Sequence, residues 1–347
     1  MKIAVVGAGP AGLLSSYFLL RKGYNLKIFE EHSEIGIPSH CAGVISLFTF
    51  SFFRKLLCSS NFLQNVVKGI RIGFLNDNFS LRYVSSRPRA YIIDRVLLDK
   101  ELSHLVASEG GQIYFNTRVN LIEGNRLKIG SNFFYFDKVI DARGFKGYPR
   151  VKDSLTACQY VIKSKDIESE VIEIWIDKHK SPDFFFWVCP LNESTARVGV
   201  AAKSNVRKVL EWFVKKRFSS YRVITSLHGV IIISGPVNPV FKNVIKIGDA
   251  AGQTKPLTGG GLRYIVSASI LLSKYIENPR TYGEKWLSTW KADINFQKIL
   301  RFLYTRLNDE RLKLLAKLLY NLSTFSYLIE RGDMDFYLYT IRKLFKR

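Results

Sequence analysis

Two glycine-rich segments, far apart in the chain, constrain the fold more than any other feature. The first, Gly7-Ala8-Gly9-Pro10-Ala11-Gly12, lies between a strand-like apolar run at 2–6 and an apolar helical pattern. Such glycines permit a tight turn, let the backbone approach a pyrophosphate and let the helix pack closely on the strand. Glu30 ends the next strand-like run, where an acid can bind ribose hydroxyls. The sequence therefore predicts a βαβ dinucleotide-binding unit with cofactor contacts from Gly7, Gly9, Ala11, Gly12 and Glu30.

The downstream segment indicates which dinucleotide binds. Gly248-Asp249 follows an apolar run, and Gly259-Gly260-Gly261 leads into a helical pattern that begins at Leu262. An NAD site does not need these residues, but they suit FAD, because Asp249 can accept hydrogen bonds from the ribityl chain. The positive end of the helix would stabilise the anion of reduced flavin. FAD is the predicted cofactor; an ordinary glycine loop between a strand and a helix is the alternative.

Two other segments fit the same cofactor. Asp141-Ala142-Arg143-Gly144 follows a strand-like run. It resembles the element with which flavoproteins of the glutathione-reductase-like superfamily hold FAD from behind, which implies contacts from Ala142 and Gly144. The segment Asp94-Arg95, followed by Leu98-Asp99, resembles a helix of the same proteins. The resemblance implies that Arg95 contacts FAD; an exposed charge at the start of a helix is the alternative.

Four motifs narrow the resemblance further. They are the cysteine loop Pro38-Ser39-His40-Cys41-Ala42-Gly43-Val44-Ile45-Ser46, the aromatic run Phe185-Phe186-Trp187-Val188-Cys189-Pro190 with Arg197-Val198-Gly199-Val200, the glycine loop Thr258-Gly259-Gly260-Gly261-Leu262-Arg263, and the segments 307–310 and 331–335. In this order they resemble the geranylgeranyl reductase family, in its archaeal branch, which saturates the prenyl chains of membrane lipids. The chain departs from the pattern of that family at Phe185, Cys189, Ala201 and Lys255, which leaves the identity of the substrate open.

The resemblance implies an FAD-dependent oxidoreductase that reduces C=C bonds of isoprenoid chains, by hydride transfer from flavin N5 and protonation. It implies that the cysteine loop approaches the flavin, with Cys41, Ala42 and Gly43 as contacts. A thiol is protonated at neutral pH and can deliver a proton, so Cys41 is the leading catalytic candidate and Tyr264 the weaker one. A small buried hydrophobic residue is the alternative reading of Cys41. The implied substrate contacts are Phe185, Trp187, Pro190, Gly199 and Pro256.

The order of strand-like and helical patterns predicts an α/β fold in three parts. A discontinuous Rossmann-type FAD-binding domain is expected at 1–68, 88–150 and 230–283, and an inserted β-rich substrate domain at 69–87 and 151–229. A C-terminal helical region is expected at 284–347. Apolar residues recur there at helical spacing: Leu300, Leu303, Tyr304, Leu307, Leu314, Leu315, Leu318, Leu319 and Leu322.

Charge bears on the partners of the protein. The 347 residues include 52 Lys and Arg against 29 Asp and Glu, a net charge of +23. Basic residues interleaved with Phe, Leu, Tyr and Trp at 203–222 and from Phe296 onward favour contact with an anionic membrane surface. A solvated basic surface that aids solubility is the alternative. No nucleic-acid-binding signature is present, so nucleic acid is not an expected partner.

Location and further partners follow from what the sequence lacks. Four dispersed cysteines give no metal-ligand pattern and no disulfide framework. The first residues form a strand-like run, unlike a signal peptide, and no apolar run approaches the ~20 residues that span a bilayer. We expect a cytoplasmic protein, peripheral on the inner face of the cell membrane, whose partners are an unsaturated prenyl lipid and an electron donor, either a ferredoxin-like protein or NAD(P)H. An FAD-dependent aromatic monooxygenase and a membrane-associated electron-transfer flavoprotein are the alternatives.

Overall fold

The computed structural model describes residues 1–77, 79–321 and 324–338. The strands in those ranges are β1 (Lys2–Val6), β2 (Asn25–Phe29), β3 (Val44–Ile45), β4 (Leu63–Val67), β5 (Gly69–Phe74), β6 (Phe79–Val84), β7 (Ala90–Ile93), β8 (Gln112–Tyr114), β9 (Val119–Glu123), β10 (Arg126–Ile129), β11 (Asn132–Tyr135), β12 (Lys138–Asp141), β13 (Leu155–Lys163), β14 (Val171–Ile176), β15 (Phe186–Pro190), β16 (Thr195–Ala202), β17 (Arg222–Ile231), β18 (Val240–Phe241) and β19 (Val244–Lys246). The α-helices are α1 (Pro10–Leu20), α2 (Leu47–Leu57), α3 (Arg95–Ser108), α4 (Val206–Arg217), α5 (Leu262–Lys274), α6 (Pro279–Arg306), α7 (Asp309–Asn321) and α8 (Thr324–Arg331).

A six-stranded sheet carries the N-terminal glycine loop. Its order is β18-β19-β12-β1-β2-β8, and its pairings are parallel except that of β18 with β19. Ile3 to Val6 of β1 are all buried, as expected for a parallel strand covered on both faces. Ile3 and Val5 share a core with α1, α3 and α5, whereas Ala4 and Val6 pack against the small antiparallel sheet β9-β10-β11. This arrangement confirms the predicted Rossmann-type α/β fold.

A second, seven-stranded sheet has the strand order β17-β13-β16-β15-β14-β5-β6. Its pairings are antiparallel except that of β14 with β5. Helix α4 covers one face, where Phe186 stacks on Phe213 at a centroid distance of 4.5 Å. Because side chains alternate along a strand, Trp187 and Cys189 of β15 point to the opposite face, together with Phe184. That second face packs against the three-stranded sheet β3-β7-β4, through Val67, Ala90 and Ile92, and forms part of the site described below.

A side-chain cap begins α3, and three helices form the C-terminal part of the chain. Asp94 caps α3, since its carboxylate accepts hydrogen bonds from the Val96 N–H at 2.8 Å and the Leu97 N–H at 3.1 Å. The C-terminal part is helical through α6, α7 and α8, while Leu322, which the apolar spacing included, lies outside the described residues, as do 339–347. Within the described ranges, none of the helices combines the length and apolar character needed to cross a bilayer.

Candidate active site

A cavity of about 1850 Å³ connects the glycine-rich loops to the seven-stranded sheet and the C-terminal helices. Ligand pockets commonly measure about 300–1,000 Å³, so this cavity has room for a cofactor and a second ligand. One end is polar, with Glu30 and Asp249 beside the glycine loops. The other end is apolar, with side chains such as Ile72 and Ile174 from the sheet and Leu328 from α8.

The N-terminal glycine loop forms the polar end and explains why three glycines are needed. Gly7 has a φ of +101°, and a Cβ there would lie 2.5 Å from the Ala142 carbonyl oxygen. A Cβ on Gly12 would lie 1.9 Å from the Gly7 carbonyl oxygen. Gly9 differs, because a Cβ there would meet nothing within 4 Å, and its free side faces the cavity. Gly7 and Gly12 therefore allow close packing, while Gly9 keeps a space open above the start of α1.

Glu30 lies at the end of β2, next to this loop. Its side chain accepts hydrogen bonds from the Ala8 N–H at 2.7 Å and from the His32 N–H at 2.9 Å. These bonds hold a carboxylate at the cavity wall, where the sequence placed a ribose contact. Ala142 and Gly144 line the cavity from the end of β12, and Ala142 also closes the back of the glycine loop.

Arg95 brings a buried cation to the same end. Its guanidinium pairs with Asp99 at 3.1 Å, four residues along α3, and lies beside Cys41. Burial lowers the pKa of Arg95, but the Asp99 carboxylate and Cys41 outweigh burial and raise it overall. The Nε atom is buried without a hydrogen-bond partner among the described residues, although the side chain lines the cavity. A buried donor of this kind fits an anionic or carbonyl-bearing ligand.

The second glycine-rich segment closes the polar end from the opposite side. Gly261 precedes α5, so the first N–H groups of this helix lack partners within it, at the cavity wall that Gly259, Gly260, Gly261 and Leu262 form. Asp249 lines it too, and burial raises the pKa of its carboxyl to about 6. Gly248 has a packing role: its φ is +66°, and a Cβ would lie 2.8 Å from the Ala11 Cβ.

These features fit FAD. The open space over Gly9 and the start of α1 suits a pyrophosphate, and Glu30 suits a ribose. The unpartnered Arg95 Nε, the Asp249 carboxyl and the exposed amides before α5 suit the flavin end. The two segments that the sequence singled out thus meet at one site, as their shared ligand required.

The cysteine loop lies between the cofactor end and the apolar end. Cys41, Ala42 and Gly43 all line the cavity, and the Gly43 N–H donates to the Cys41 Sγ at 3.3 Å. Gly43 has a φ of +79°, and a Cβ there would lie 2.4 Å from the Ile93 carbonyl oxygen. The loop also pairs with β7 through the Ile93 N–H and the Gly43 carbonyl at 2.9 Å. This geometry presents the Cys41 thiol to the cavity.

Arg197 fixes that loop, and sequence reasoning assigned it no role. Its Nη1 donates to the carbonyl oxygens of Ala42 and Ile93, both at 3.0 Å, and its Nη2 donates to the Gln64 Oε1 at 2.8 Å. Burial lowers the pKa of Arg197 against the opposing effect of Cys41. Only 9% of its surface is exposed. The signal in the sequence was one arginine within the apolar strand β16, since a buried charge requires partners.

The aromatic run supplies part of the apolar wall. Phe185 and Trp187 line the cavity, and the Trp187 Nε1–H donates to the Gln159 Oε1 at 3.0 Å. Gly199 is the cross-strand partner of Trp187, and a Cβ there would lie 2.3 Å from the Trp187 Cζ2. Gly199 therefore gives the indole room to lie flat, which corrects its prediction as a direct substrate contact.

Pro190 and Pro256 also require correction as substrate contacts. Pro190 follows Cys189 on β15, and strand alternation turns it away from the cavity. Pro256 is buried between two residues that do line the cavity, Lys255 and Leu257, and is not part of the wall itself.

Tyr264 does not reach the cavity, contrary to its prediction as a second catalytic candidate. Its side chain is fully buried, with Trp286 and Trp290 against the ring. The hydroxyl lies 3.1 Å from the Gln297 Nε2, and burial raises its pKa, with Asp293 adding to the effect. Residues two apart on a helix point about 200° apart, so Leu262 faces the cavity and Tyr264 faces α6. Its role is packing.

The C-terminal segment adds a buried ion pair that the sequence did not reveal. Lys255 Nζ donates to the Asp335 Oδ1 at 2.6 Å and to the Met334 carbonyl oxygen at 2.7 Å. Asp335 also accepts from the hydroxyls of Ser46 and Thr49 at the start of α2. Burial lowers the pKa of Lys255, but Asp335 outweighs burial and raises it overall. The pair connects the tail to the flavin-side glycine loop, because the Gly259 N–H donates to the Lys255 carbonyl at 2.8 Å.

Comparison with known proteins agrees with this geometry. A family model described as "FAD binding domain" matches residues 1–132, and one described as "Geranylgeranyl reductase catalytic domain" matches residues 153–231. Residues 153–231 therefore resemble the catalytic domain of geranylgeranyl reductases. The protein is an FAD-dependent oxidoreductase.

Two similar proteins come from archaea. A digeranylgeranylglycerophospholipid reductase of Methanosarcina acetivorans is 27% identical, over 90% of this chain and 87% of the relative. An uncharacterised protein of Methanocaldococcus jannaschii is also 27% identical, over 96% of this chain and 92% of the relative. The chain thus aligns with these proteins over most of their length.

Solved structures show the same fold at low sequence identity. A geranylgeranyl bacteriochlorophyll reductase-like protein from Thermoplasma acidophilum superposes with a TM-score of 0.80 at 20% identity, covering 99% of this chain and 94% of that one. The flavin-dependent brominase Bmp2 superposes with a TM-score of 0.71 at 13% identity, covering 100% and 98%. The fold therefore serves several kinds of flavin-dependent protein.

Proposed function

We propose that this protein reduces C=C bonds in the geranylgeranyl chains of membrane lipids or their precursors. The observation that carries the proposal is the shape of the cavity, which runs from the FAD loops past Cys41 into an apolar space between the sheet and the C-terminal helices. A compact polar pocket would suit a small aromatic substrate. An extended apolar one suits a long isoprenoid chain. The digeranylgeranylglycerophospholipid reductases among the relatives support this substrate class.

The residues of the chain prepare the site for this reaction. Ile174, Phe185 and Trp187 form an apolar wall that excludes water from the alkene. FAD, when bound and reduced, supplies a hydride to one alkene carbon. The other carbon needs a proton, and the Cys41 thiol lies in the cavity wall beside Arg95, in a position to donate it. Arg197 holds the loop that carries the thiol, so it acts as a positioning residue.

The finer partners are part of the same proposal. The electron donor is a ferredoxin-like protein or NAD(P)H, and the net charge of +23 supports steering of an acidic protein donor. The protein works in the cytoplasm, peripheral on the inner face of the cell membrane, where its substrate lipid resides. Its basic composition supports attraction to anionic headgroups.

An anaerobic single-turnover experiment tests the function. The purified holoprotein is reduced with dithionite, mixed with an unsaturated archaeal-type prenyl lipid, and followed by flavin absorbance and lipid mass spectrometry. We expect flavin reoxidation together with a mass gain of two hydrogens for each bond reduced. A flavin that stays reduced until oxygen is admitted would contradict the proposal and favour an oxygen-dependent activity.

The variant Cys41→Ser tests the proton donor in the same experiment. We expect FAD to remain bound while reoxidation by the lipid slows by about 10²-fold, within the usual range for loss of general acid catalysis. Cys58→Ser is the matched control, because Cys58 is an exposed cysteine at the end of α2 and does not line the cavity. Equal rates in the two variants would return Cys41 to a packing role.

A further inference from the structure

Six large apolar side chains of the consecutive helices α6 and α7 are exposed, and together we call them the amphipathic face: Ile299, Phe302, Leu303, Leu314, Leu315 and Leu318. We propose that this face docks onto an anionic lipid bilayer and that prenyl chains pass from the bilayer into the cavity beside it. The docking surface stands on its own observations; the passage of prenyl chains rests on the proposed function.

The exposure of the face is unusual for a monomeric surface. On α6, Ile299 is 57% exposed, Phe302 58% and Leu303 44%, at the spacing of one helical side. On α7, Leu314 is 68% exposed and Leu318 is 53% exposed, again one turn apart. Single exposed apolar residues are common, whereas clusters of large ones mark contact surfaces for proteins or membranes.

The charge around the face favours an anionic partner. Residues 291–321 contain seven Lys or Arg and three Asp or Glu. Asp293 and Asp309 are buried, and Glu310 pairs with Lys313 at 3.0 Å. The exposed charges flanking the face are therefore mainly positive: Lys291, Lys298, Arg306, Arg311 and Lys317. A second copy would present the same cations and repel, while anionic headgroups would attract them.

Helix α4, the other strongly basic helix, has no large apolar side chains on its exposed side. Its apolar side chains Leu210, Phe213 and Val214 are completely buried against the seven-stranded sheet. The remaining side of α4 presents charge without a large exposed apolar side chain. Charge composition alone indicated both regions as candidates for membrane binding. Because the apolar side chains are buried on α4 and exposed on α6 and α7, we assign membrane docking to α6 and α7.

The same two helices also form a wall of the cavity. Phe296, Leu300 and Tyr304 of α6 line the cavity from the side of the helix next to the exposed stripe, and Leu319 does so on α7. Phe325 and Leu328 of α8 continue the apolar lining. A bilayer at the amphipathic face would therefore lie beside the helix sides that line the substrate space, which suits extraction of a lipid chain without crossing water.

Vesicle flotation tests the docking surface directly. The holoprotein is mixed with vesicles of phosphatidylglycerol or of phosphatidylcholine alone, and the bound fraction is measured by the flavin colour. We expect binding to phosphatidylglycerol that weakens as salt rises. The double variant Leu314→Ser, Leu318→Ser should lose about tenfold or more in partitioning, because two apolar anchors are removed.

The matched control is the double variant Phe241→Ser, Ile224→Ser. Phe241 is 67% exposed and Ile224 is 54% exposed, close to the 68% of Leu314 and the 53% of Leu318. Phe241 and Ile224 lie instead on the edge strands β18 and β17. The control should bind vesicles like the parent. Equal loss in both double variants, or no vesicle binding by the parent, would overturn the proposal. Light scattering that finds a parent dimer converted to a monomer by Leu314→Ser, Leu318→Ser would assign the face to a subunit interface.

Activity with two substrates separates this proposal from the function itself. The double variant should reduce prenyl lipid in vesicles about tenfold more slowly and reduce a detergent-dispersed prenyl lipid at the parent rate. Failure of the parent with both substrates, alongside intact vesicle binding, would reject the function and keep the docking surface. Thermal denaturation checks folding, and Phe302→Ser provides a second variant of the same face if the double variant unfolds.

Discussion

At the scale of single residues, a substitution at Gly9 should weaken FAD binding much more than it weakens folding. A Cβ on Gly12 would collide with the Gly7 carbonyl, whereas a Cβ on Gly9 would meet nothing within 4 Å. We expect Gly9→Val to lower the free energy of unfolding of the flavin-free protein by no more than about 1 kcal/mol, because Gly9 is the N-cap of α1 and valine caps a helix less well than glycine. FAD affinity should fall at least tenfold, because the side chain occupies the space over the helix start.

Fluorescence titration of the apoprotein with FAD measures that affinity. Gly124→Asn is the control, since Gly124 lies in the turn between β9 and β10 at a φ of +61°, which asparagine tolerates, has open space around its Cβ position and does not line the cavity. A Gly9→Val protein that retains parental FAD affinity would contradict the placement of the pyrophosphate.

Asp249 should make the stability of the flavin-free protein depend on pH. Burial raises the pKa of its carboxyl from 3.8 to about 6, so the folded state binds more protons than the unfolded state between these values. The free energy of unfolding therefore falls as pH rises through that window. Asp249→Asn should remove this dependence and be more stable by about 2–3 kcal/mol above pH 7, with little difference near pH 4.

Urea denaturation of the apoproteins at several pH values measures this effect. Asp153→Asn serves as the control, because Asp153 is an exposed aspartate in a short helical turn. Parallel pH profiles for the parent and Asp249→Asn would show that the carboxyl is not buried as described. With FAD added, Asp249→Asn should bind the cofactor more weakly, since it loses an anionic acceptor.

At the scale of elements, Arg197 joins β16 of the seven-stranded sheet to the cysteine loop and to β7. Arg197→Met would leave the carbonyls of Ala42 and Ile93 without these donors, at a cost of about 1–3 kcal/mol. The loop should then open more often, and Cys41 should react about tenfold faster with a maleimide, a change equivalent to about 1.4 kcal/mol.

Mass spectrometry of labelled protein measures that rate in a Cys58→Ser background, because Cys58 is exposed while Cys158 and Cys189 are buried. The matched control is Arg207→Met, an exposed arginine on α4 paired with Glu211. Similar labelling rates in the two variants would argue that the loop is held by β7 alone.

The elements also show which parts of the site a sequence can disclose. The two glycine loops and the Ala142 turn were predictable because each is a local signature whose geometry is set within a few residues. Arg197 was not, because its partners lie 104 and 155 positions away along the chain. Tyr264 was misplaced for a related reason: a motif gives its position along α5 but not which side of the helix it occupies.

At the scale of the whole molecule, the Lys255–Asp335 pair ties the C-terminal tail to the cofactor domain. Asp335→Asn would leave the buried Lys255 ammonium without its counter-charge, and we expect the free energy of unfolding to fall by about 3 kcal/mol. The double variant Lys255→Met, Asp335→Leu should recover most of this loss, since it removes both buried charges.

Chemical denaturation compares these variants with Lys68→Met, which breaks an exposed ion pair to Glu170 and should cost less than about 1 kcal/mol. A decrease in Asp335→Asn no larger than that of Lys68→Met would contradict the structural role of the pair. Loss of FAD from Asp335→Asn ahead of global unfolding would indicate that the tail steadies the glycine loop as well.

The strand order of the six-stranded sheet determines when the protein can first bind FAD during its synthesis. β1 and its glycine loop leave the ribosome at the outset, but β19 and the loop before α5 follow only after residue 244. Domains fold as units once their parts are available. The early βαβ unit therefore provides only part of the FAD site while the strands of the seven-stranded sheet are being synthesised. A nascent chain halted before residue 262 should retain no FAD after unbound flavin is removed.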